Sequence, residues 1–185
     1  MSLARKLVMV IFLVALCSLS AKAQYSPAVR PNPNPLQIAV SYTFDHFYEV
    51  PHPSTILNNS GATGSLVYYN DFIGTEAAVT DTFGSNNGKT TNLLFAGGGF
   101  RLRYPVGHSF EPWAHALLGY THLSPQTTFG SESAFGYKLG GGFDYIPQHG
   151  RIGWRAQIDM LGTKFYHASQ FSPEASVGVV FYLGH

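Results

Sequence analysis

Leu36-Gln37-Ile38-Ala39-Val40-Ser41-Tyr42-Thr43-Phe44-Asp45 alternates without a break: Leu36, Ile38, Val40, Tyr42 and Phe44 fall on one face, and Gln37, Ala39, Ser41, Thr43 and Asp45 on the other. A period of two sustained over such a stretch marks a β-strand with one apolar and one polar face. Segments of the same kind follow to the C-terminus. Strand two is expected near Ala62–Tyr69 and strand three near Phe72–Thr80, joined by a tight turn at Asn70-Asp71. Strand four is expected over Thr91–Tyr104, strand five over Pro112–Thr121 and strand six over Phe135–Tyr145. Strand seven runs from Ile152, and strand eight from Ser176 to Leu183. In strand seven Ile152, Trp154, Ala156, Ile158 and Met160 oppose Arg155, Gln157 and Asp159.

The connections alternate in length. Short ones follow strands two, four and six, at Asn70-Asp71, Pro105–Glu111 and Pro147–Gly150. Longer polar ones are expected after the odd-numbered strands, such as His46–Gly61 and His122–Glu132. Short turns at one rim and longer loops at the other, with an even strand count, fit an all-β, eight-stranded antiparallel up-and-down transmembrane β-barrel. Eight strands enclose a space just wide enough for side chains to fill, so no large pore is expected. Gly97-Gly98-Gly99-Phe100 and Gly140-Gly141-Gly142-Phe143 form a weak internal echo between the four-five and six-seven hairpins.

Composition agrees. Charged residues make up 11% of the 185, against roughly 25% in an ordinary soluble domain. Aromatic residues reach 15%. Arg5 and Lys6, an apolar run from Leu7 to Leu16, and Ala21-Lys22-Ala23 read as a signal peptide over 1–23, with Gln24 as the mature N-terminus. Cys17 is the only cysteine, and Leu16 before it is too large for a lipobox, so neither lipidation nor a disulfide is expected. Residues 24–35 are a Pro-rich periplasmic arm, and 36–185 the barrel domain. Without 1–23, eight Lys and Arg stand against ten Asp and Glu, a balance that offers nothing to nucleic acid.

The uncharged face of the strands is expected to meet lipid. Its aromatics bunch toward the strand ends, Tyr104, Tyr145 and Trp154 at the short-turn rim and Tyr42, Phe44 and Phe135 at the other, as membrane-interface girdles do. The opposite face carries Glu76, Arg101, Arg103, Lys138, Asp144, Arg155 and Asp159. In a narrow lumen such charges must pair, which predicts a structural salt-bridge network. A tight Pro147–Gly150 turn would set Lys138 opposite Asp159 and Asp144 diagonal to Arg155.

Glu111-Pro112-Trp113-Ala114-His115-Ala116-Leu117-Leu118-Gly119, Gly140-Gly141-Gly142-Phe143-Asp144-Tyr145, Trp154-Arg155-Ala156-Gln157-Ile158-Asp159 and the final Gly178–Gly184 strand resemble the small outer-membrane β-barrel family, the OmpA-like and OmpX-like barrels. The last three segments resemble members found in acidobacteria. The resemblance implies an outer-membrane protein inserted by the barrel-assembly machinery with periplasmic chaperones, with outer-membrane lipid as its partner. It implies a monomer without cofactor or metal, acting non-enzymatically in envelope structure or in surface contacts through extracellular loops. The family ends on an aromatic residue, whereas this chain ends on His185.

Other motifs are weaker. Gly84–Thr90 departs from a phosphate-binding loop by one residue of spacing and precedes a strand. His46, His52, His122 and His167 gather toward one rim without metal-ligand spacing. His115, within strand five, is expected in the lumen, bonded to a neighbouring strand. Two alternatives have different chemistry: a lipocalin-like soluble carrier with its apolar face inward, and a lipid-modifying outer-membrane barrel enzyme.

Overall fold

A computed structural model describes residues 35–48, 56–86, 89–107, 109–125, 130–147 and 150–183. The expected signal peptide, nearly all of the Pro-rich arm, His52 and His185 lie outside the described residues.

Eight strands form in chain order: β1 Leu36–Tyr48, β2 Ile56–Asn70, β3 Ile73–Asn86, β4 Lys89–Arg103, β5 Phe110–Pro125, β6 Glu132–Tyr145, β7 Ile152–Phe165 and β8 Ala168–Leu183. Each pairs antiparallel with its sequence neighbours, and β1 pairs with β8 from Leu36↔Leu183 to Asp45↔Glu174, so the sheet closes. A closed barrel has no strand edge left to protect. The near rim carries the start of β1, the end of β8 and the turns after β2, β4 and β6; the other connections lie at the far rim.

Alternation assigns every side chain a face. Outward stand Ile38, Val40, Tyr42 and Phe44 of β1, Phe100 and Leu102 of β4, Ile158 and Met160 of β7, and their counterparts on the other strands. Among the described outward positions of the strands only Asp81 and Lys164 are charged, both toward the far rim. Aromatic side chains frame the apolar band, with Tyr68, Tyr104, Phe110, Tyr145 and Trp154 at the near rim. Phe44, Phe83, Tyr120, Phe135 and Phe171 stand toward the far rim.

The strands are longer than the sequence pattern suggested, and the far-rim connections correspondingly shorter. β2, β3 and β8 all continue past their expected ends. Asn86 pairs with Lys89, and β7 passes to β8 through Tyr166 and His167 alone. Both residues have positive φ, 48° and 63°, the type I′ geometry that matches the twist of a two-residue hairpin. At the near rim the tight turn lies one residue later than expected, at Asp71-Phe72.

Candidate functional site

Inward positions hold the polar chemistry. All seven charged residues singled out from the sequence, Glu76, Arg101, Arg103, Lys138, Asp144, Arg155 and Asp159, point into the lumen and are buried. Four further ionisable groups join them: Asp45, Glu111, His115 and Glu174.

The interior is layered. Nearest the near rim, Ala39, Ile146, Val180 and Tyr182 form an apolar seal. Above it Arg103 Nη1 lies 3.5 Å from Glu111 Oε2, and Gln37 Nε2 donates to Glu111 Oε1 across the barrel at 3.0 Å. Asp144 and Arg155 face each other in register, with Nε and Nη2 donating to the two carboxylate oxygens at 2.8 Å each. That fork-on-carboxylate geometry is the strongest form of such a pair. Trp113 donates to Asp144 at 3.2 Å, and the Arg101 and Arg155 guanidinium carbons lie 3.8 Å and 5.1 Å from its ring centroid.

Midway up, Arg101 clamps Glu76 through Nε and Nη2, with Nε 2.8 Å from Oε2. His115 bridges two strands beyond its own neighbours: Nδ1 lies 2.9 Å from Glu76 Oε2 and Nε2 3.0 Å from Asp159 Oδ1. Each ring nitrogen faces a carboxylate oxygen, an arrangement that an imidazolium, with its two N–H donors, satisfies in full. Gln157 supplies a second donor to Asp159 at 2.8 Å. Gly140 makes room here, since a Cβ on it would collide with the Asp159 carboxylate and the backbone of β7.

Lys138 does not face Asp159. The register of β6 with β7 sets Lys138 against Leu161 and Asp159 against Gly140, two residues away from the expected pairing. Lys138 instead reaches across the lumen to Glu174 at 2.6 Å and Thr80 at 2.9 Å. Asp144 and Arg155, expected on a diagonal, are direct partners by the same shift. Toward the far rim one side of the lumen is apolar, with Leu93, Phe95, Leu117, Leu123, Leu161 and Phe165. The other side carries the hydroxyls of Thr43, Thr63, Thr80 and Ser176, linked at 2.6–2.9 Å.

Outside the far rim a polar collar replaces the apolar band. His122 lies 2.8 Å through Nδ1 from the Ser133 hydroxyl and 3.0 Å through Nε2 from that of Ser124, and Tyr120 shares Ser133 at 2.5 Å. His46 contacts Asn58 at 2.8 Å. Tyr166 donates through its backbone N–H to Glu132 at 2.6 Å and through its hydroxyl to the Gly130 carbonyl at 2.8 Å. Partial burial and the Glu132 carboxylate push its phenol pKa up. His46 and His122 are thus engaged by separate neighbours.

No protein-family model matches the chain, and no curated protein matches it in sequence. Solved structures do. Neisserial surface protein A superposes with a TM-score of 0.67 at 12% identity, over 80% of this chain and 97% of that one. Ail, the attachment invasion locus protein of Yersinia pestis, superposes with a TM-score of 0.55 at 15% identity, over 79% of this chain and 97% of that one. Ail in complex with the heparin analogue sucrose octasulfate gives 0.54 at 15% identity, with coverage of 79% and 97%. The chain has the fold of the small eight-stranded outer-membrane β-barrels.

His115 stands in the lumen as expected, although it bonds to β3 and β7 rather than to a neighbouring strand. Alternation alone could also have revealed two of the missed lumen groups: Asp45 shares the polar face of β1, and Glu111 shares parity with His115. Glu174 was hidden because Pro173 interrupts the strand pattern. A proline demotes a run as a strand, yet here it points outward in β8 opposite Met160.

Proposed function

We propose that this is a non-enzymatic outer-membrane barrel that contributes to envelope structure and makes surface contacts at its far rim. The observation that carries the reading is the inverted distribution of polarity. An uncharged apolar band framed by aromatics covers the outside, and paired charges fill the inside. A lipocalin-like carrier needs the opposite, an apolar interior around its ligand.

Strands of 13–16 residues exceed the 9–11 or so that cross a bilayer at the usual tilt. The surplus accounts for the collar. Counted from the near-rim girdle, the apolar band ends near Phe44, Tyr120 and Phe135, and Ser60, Asp81, Asn92, His122 and Ser133 stand beyond it. On this reading the contact surface is the collar together with the β1–β2 and β5–β6 connections, because the β3–β4 and β7–β8 hairpins are tight. The working partners are outer-membrane lipid and, during insertion, the assembly machinery and its chaperones. The barrel works as a monomer.

The test is surface-protease digestion of intact cells combined with membrane fractionation and a mild SDS gel. The reading expects an outer-membrane protein, cleavage confined to the far-rim connections, and a folded band whose mobility changes on boiling. Recovery in the soluble periplasm with unchanged mobility overturns it.

A second reading, a lipid-modifying enzyme, has one observation behind it. Ser124, His122 and Ser133 stand in a line of hydrogen bonds on the outer face beside the far aromatics, with hydroxyl and imidazole at nucleophile-to-base distance. A hydroxyl takes the orienting place that a carboxylate fills in stronger relays, which is why this reading comes second. Covalent labelling by a fluorophosphonate probe that disappears in Ser124→Ala would establish it; no labelling of the folded barrel would remove it.

A further inference from the structure

We propose that the lumen beneath the far rim binds a hard, oxygen-seeking metal cation at Asp45, with Asn59 and Glu174 on either side. Four inward side chains stand in one row across four neighbouring strands: Asn59 on β2, Asp45 on β1, Glu174 on β8 and Asp159 on β7, each in direct register with the next. Three of the four are carboxylates. Glu174 holds Lys138, and Asp159 holds His115 and Gln157. Asp45 holds nothing. It is fully buried, and neither carboxylate oxygen has a hydrogen-bond partner. Asn59 is equally buried, and both its carboxamide oxygen and nitrogen lack partners.

The charge count over the described residues points the same way. Six carboxylates are buried in the lumen: Asp45, Glu76, Glu111, Asp144, Asp159 and Glu174. Arg101, Arg103, Arg155, Lys138 and His115 are the buried basic groups, and each engages a carboxylate other than Asp45. Asp45 is therefore the one buried carboxylate for which the lumen supplies no basic partner. A buried unpaired carboxylate is costly, and a cation from solution removes the cost.

The donors say which cation. Asp45 offers two carboxylate oxygens, Asn59 a carbonyl and Glu174 a second carboxylate, with the Thr82 hydroxyl close to Asp45 while donating to the Leu93 carbonyl at 3.4 Å. Oxygen-only sets select calcium, magnesium or sodium over softer metals. Gly84 faces Asn59 from β3, and the carboxamide fills the space where a Cβ would stand. With two carboxylates, one of them shared with Lys138, and otherwise neutral donors, the site suits weak binding. Half-saturation is expected at about 10⁻⁴–10⁻³ M, as in weak extracellular calcium sites.

The experiment uses the full barrel refolded in detergent after chelator treatment, titrated separately with calcium, magnesium and sodium chlorides at constant ionic strength, and read by thermal unfolding and equilibrium dialysis. A saturable rise in unfolding temperature with at least one ion, lost in Asp45→Asn, is the expected result. The chelator-treated Asp45→Asn barrel should also be no less stable than the chelator-treated parent, since the unpartnered carboxylate is gone. Should Asp45→Asn fail to fold, Asn59→Leu takes its place and should raise the half-saturating concentration about tenfold or more. Equal responses in parent and variant, or no response to any of the three ions, overturns the proposal.

Discussion

Replacing Lys138 by methionine tests the lumen network where it is most heavily committed. The ammonium is almost completely buried, 1% exposed, and ties Glu174 of β8 to Thr80 of β3 across the barrel. Its Nζ also lies over the Phe95 ring, 4.8 Å from the centroid. Without it Glu174 is left in register between two other carboxylates, Asp45 and Asp159. Removing one partner of a buried pair costs about 3–5 kcal/mol, and two adjacent like charges place Lys138→Met at the upper end. Glu174→Leu strands the ammonium instead, but Asp45 and Asp159 remain near it, so about 3 kcal/mol is expected. The double variant replaces the pair with apolar side chains against Phe95 and Leu161, and such replacements are near neutral or stabilising. A double-mutant cycle should therefore return a coupling of at least about 3 kcal/mol, measured by urea unfolding in lipid vesicles with tryptophan fluorescence as the signal. Lys138→Met with Asp159→Leu is the internal control, since Asp159 already has His115 and Gln157 and its coupling to Lys138 should be smaller. Additivity of the Lys138 and Glu174 changes within about 0.5 kcal/mol, or a stronger coupling of Lys138 to Asp159, would refute the pairing.

Strand parity is tested by Ala156→Arg against Gln157→Arg: the outward charge should cost about 2–4 kcal/mol if it sits near mid-bilayer. The inward one should cost less, and equal urea midpoints would contradict the assignment of faces. Gly140→Ala should destabilise by about 1–3 kcal/mol, because its Cβ displaces the Asp159 carboxylate and the backbone of β7. Adding Asp159→Ala should recover part of that loss in thermal melts, and no recovery would mean that the backbone collision alone sets the cost. His167→Gly should stabilise the barrel by about 0.5–1 kcal/mol, since His167 holds a φ of 63° that strains an L side chain and favours glycine. A lower unfolding temperature for that variant would indicate that the imidazole contributes more than the turn strain costs.

The faces were legible before any coordinates because they depend only on the period of two. Leu36 to Asp45 already declares which side chains face the lumen, and the same parity places Arg101, Arg155 and Asp159 without knowledge of their partners. Strand ends were harder. Composition turns polar toward the far rim on both faces, through Ser85, Asn86, Lys89 and Thr90, and polar residues in a strand that has left the apolar band look like loop. Pro173 hid the first half of β8 for the same kind of reason. A side chain that usually breaks a ladder here occupies an outward position. The expectation of long loops after every odd-numbered strand failed on that confusion between polarity and irregular backbone.

Partners were less legible than faces because pairing depends on register, and register can move in steps of two without disturbing a single face. The expected opposition of Lys138 and Asp159 differs from the observed Gly140↔Asp159 by one such step. That step also turns Asp144 and Arg155 from a diagonal into a direct pair, so a single displacement of the β6–β7 hairpin accounts for both differences. What no hairpin rule could supply is the reach across the lumen. Lys138 passes over β7 to Glu174, His115 spans from β3 to β7, and Arg155 extends to Ser65 and Gln37 on strands far from its own. Eight strands bring opposite walls within the length of a lysine or arginine side chain, so the network is set by the barrel's closure more than by neighbouring strands. Closure likewise sets Asp45 of β1 beside Glu174 of β8, a contact between the two ends of the sheet that alternation within either strand could not announce.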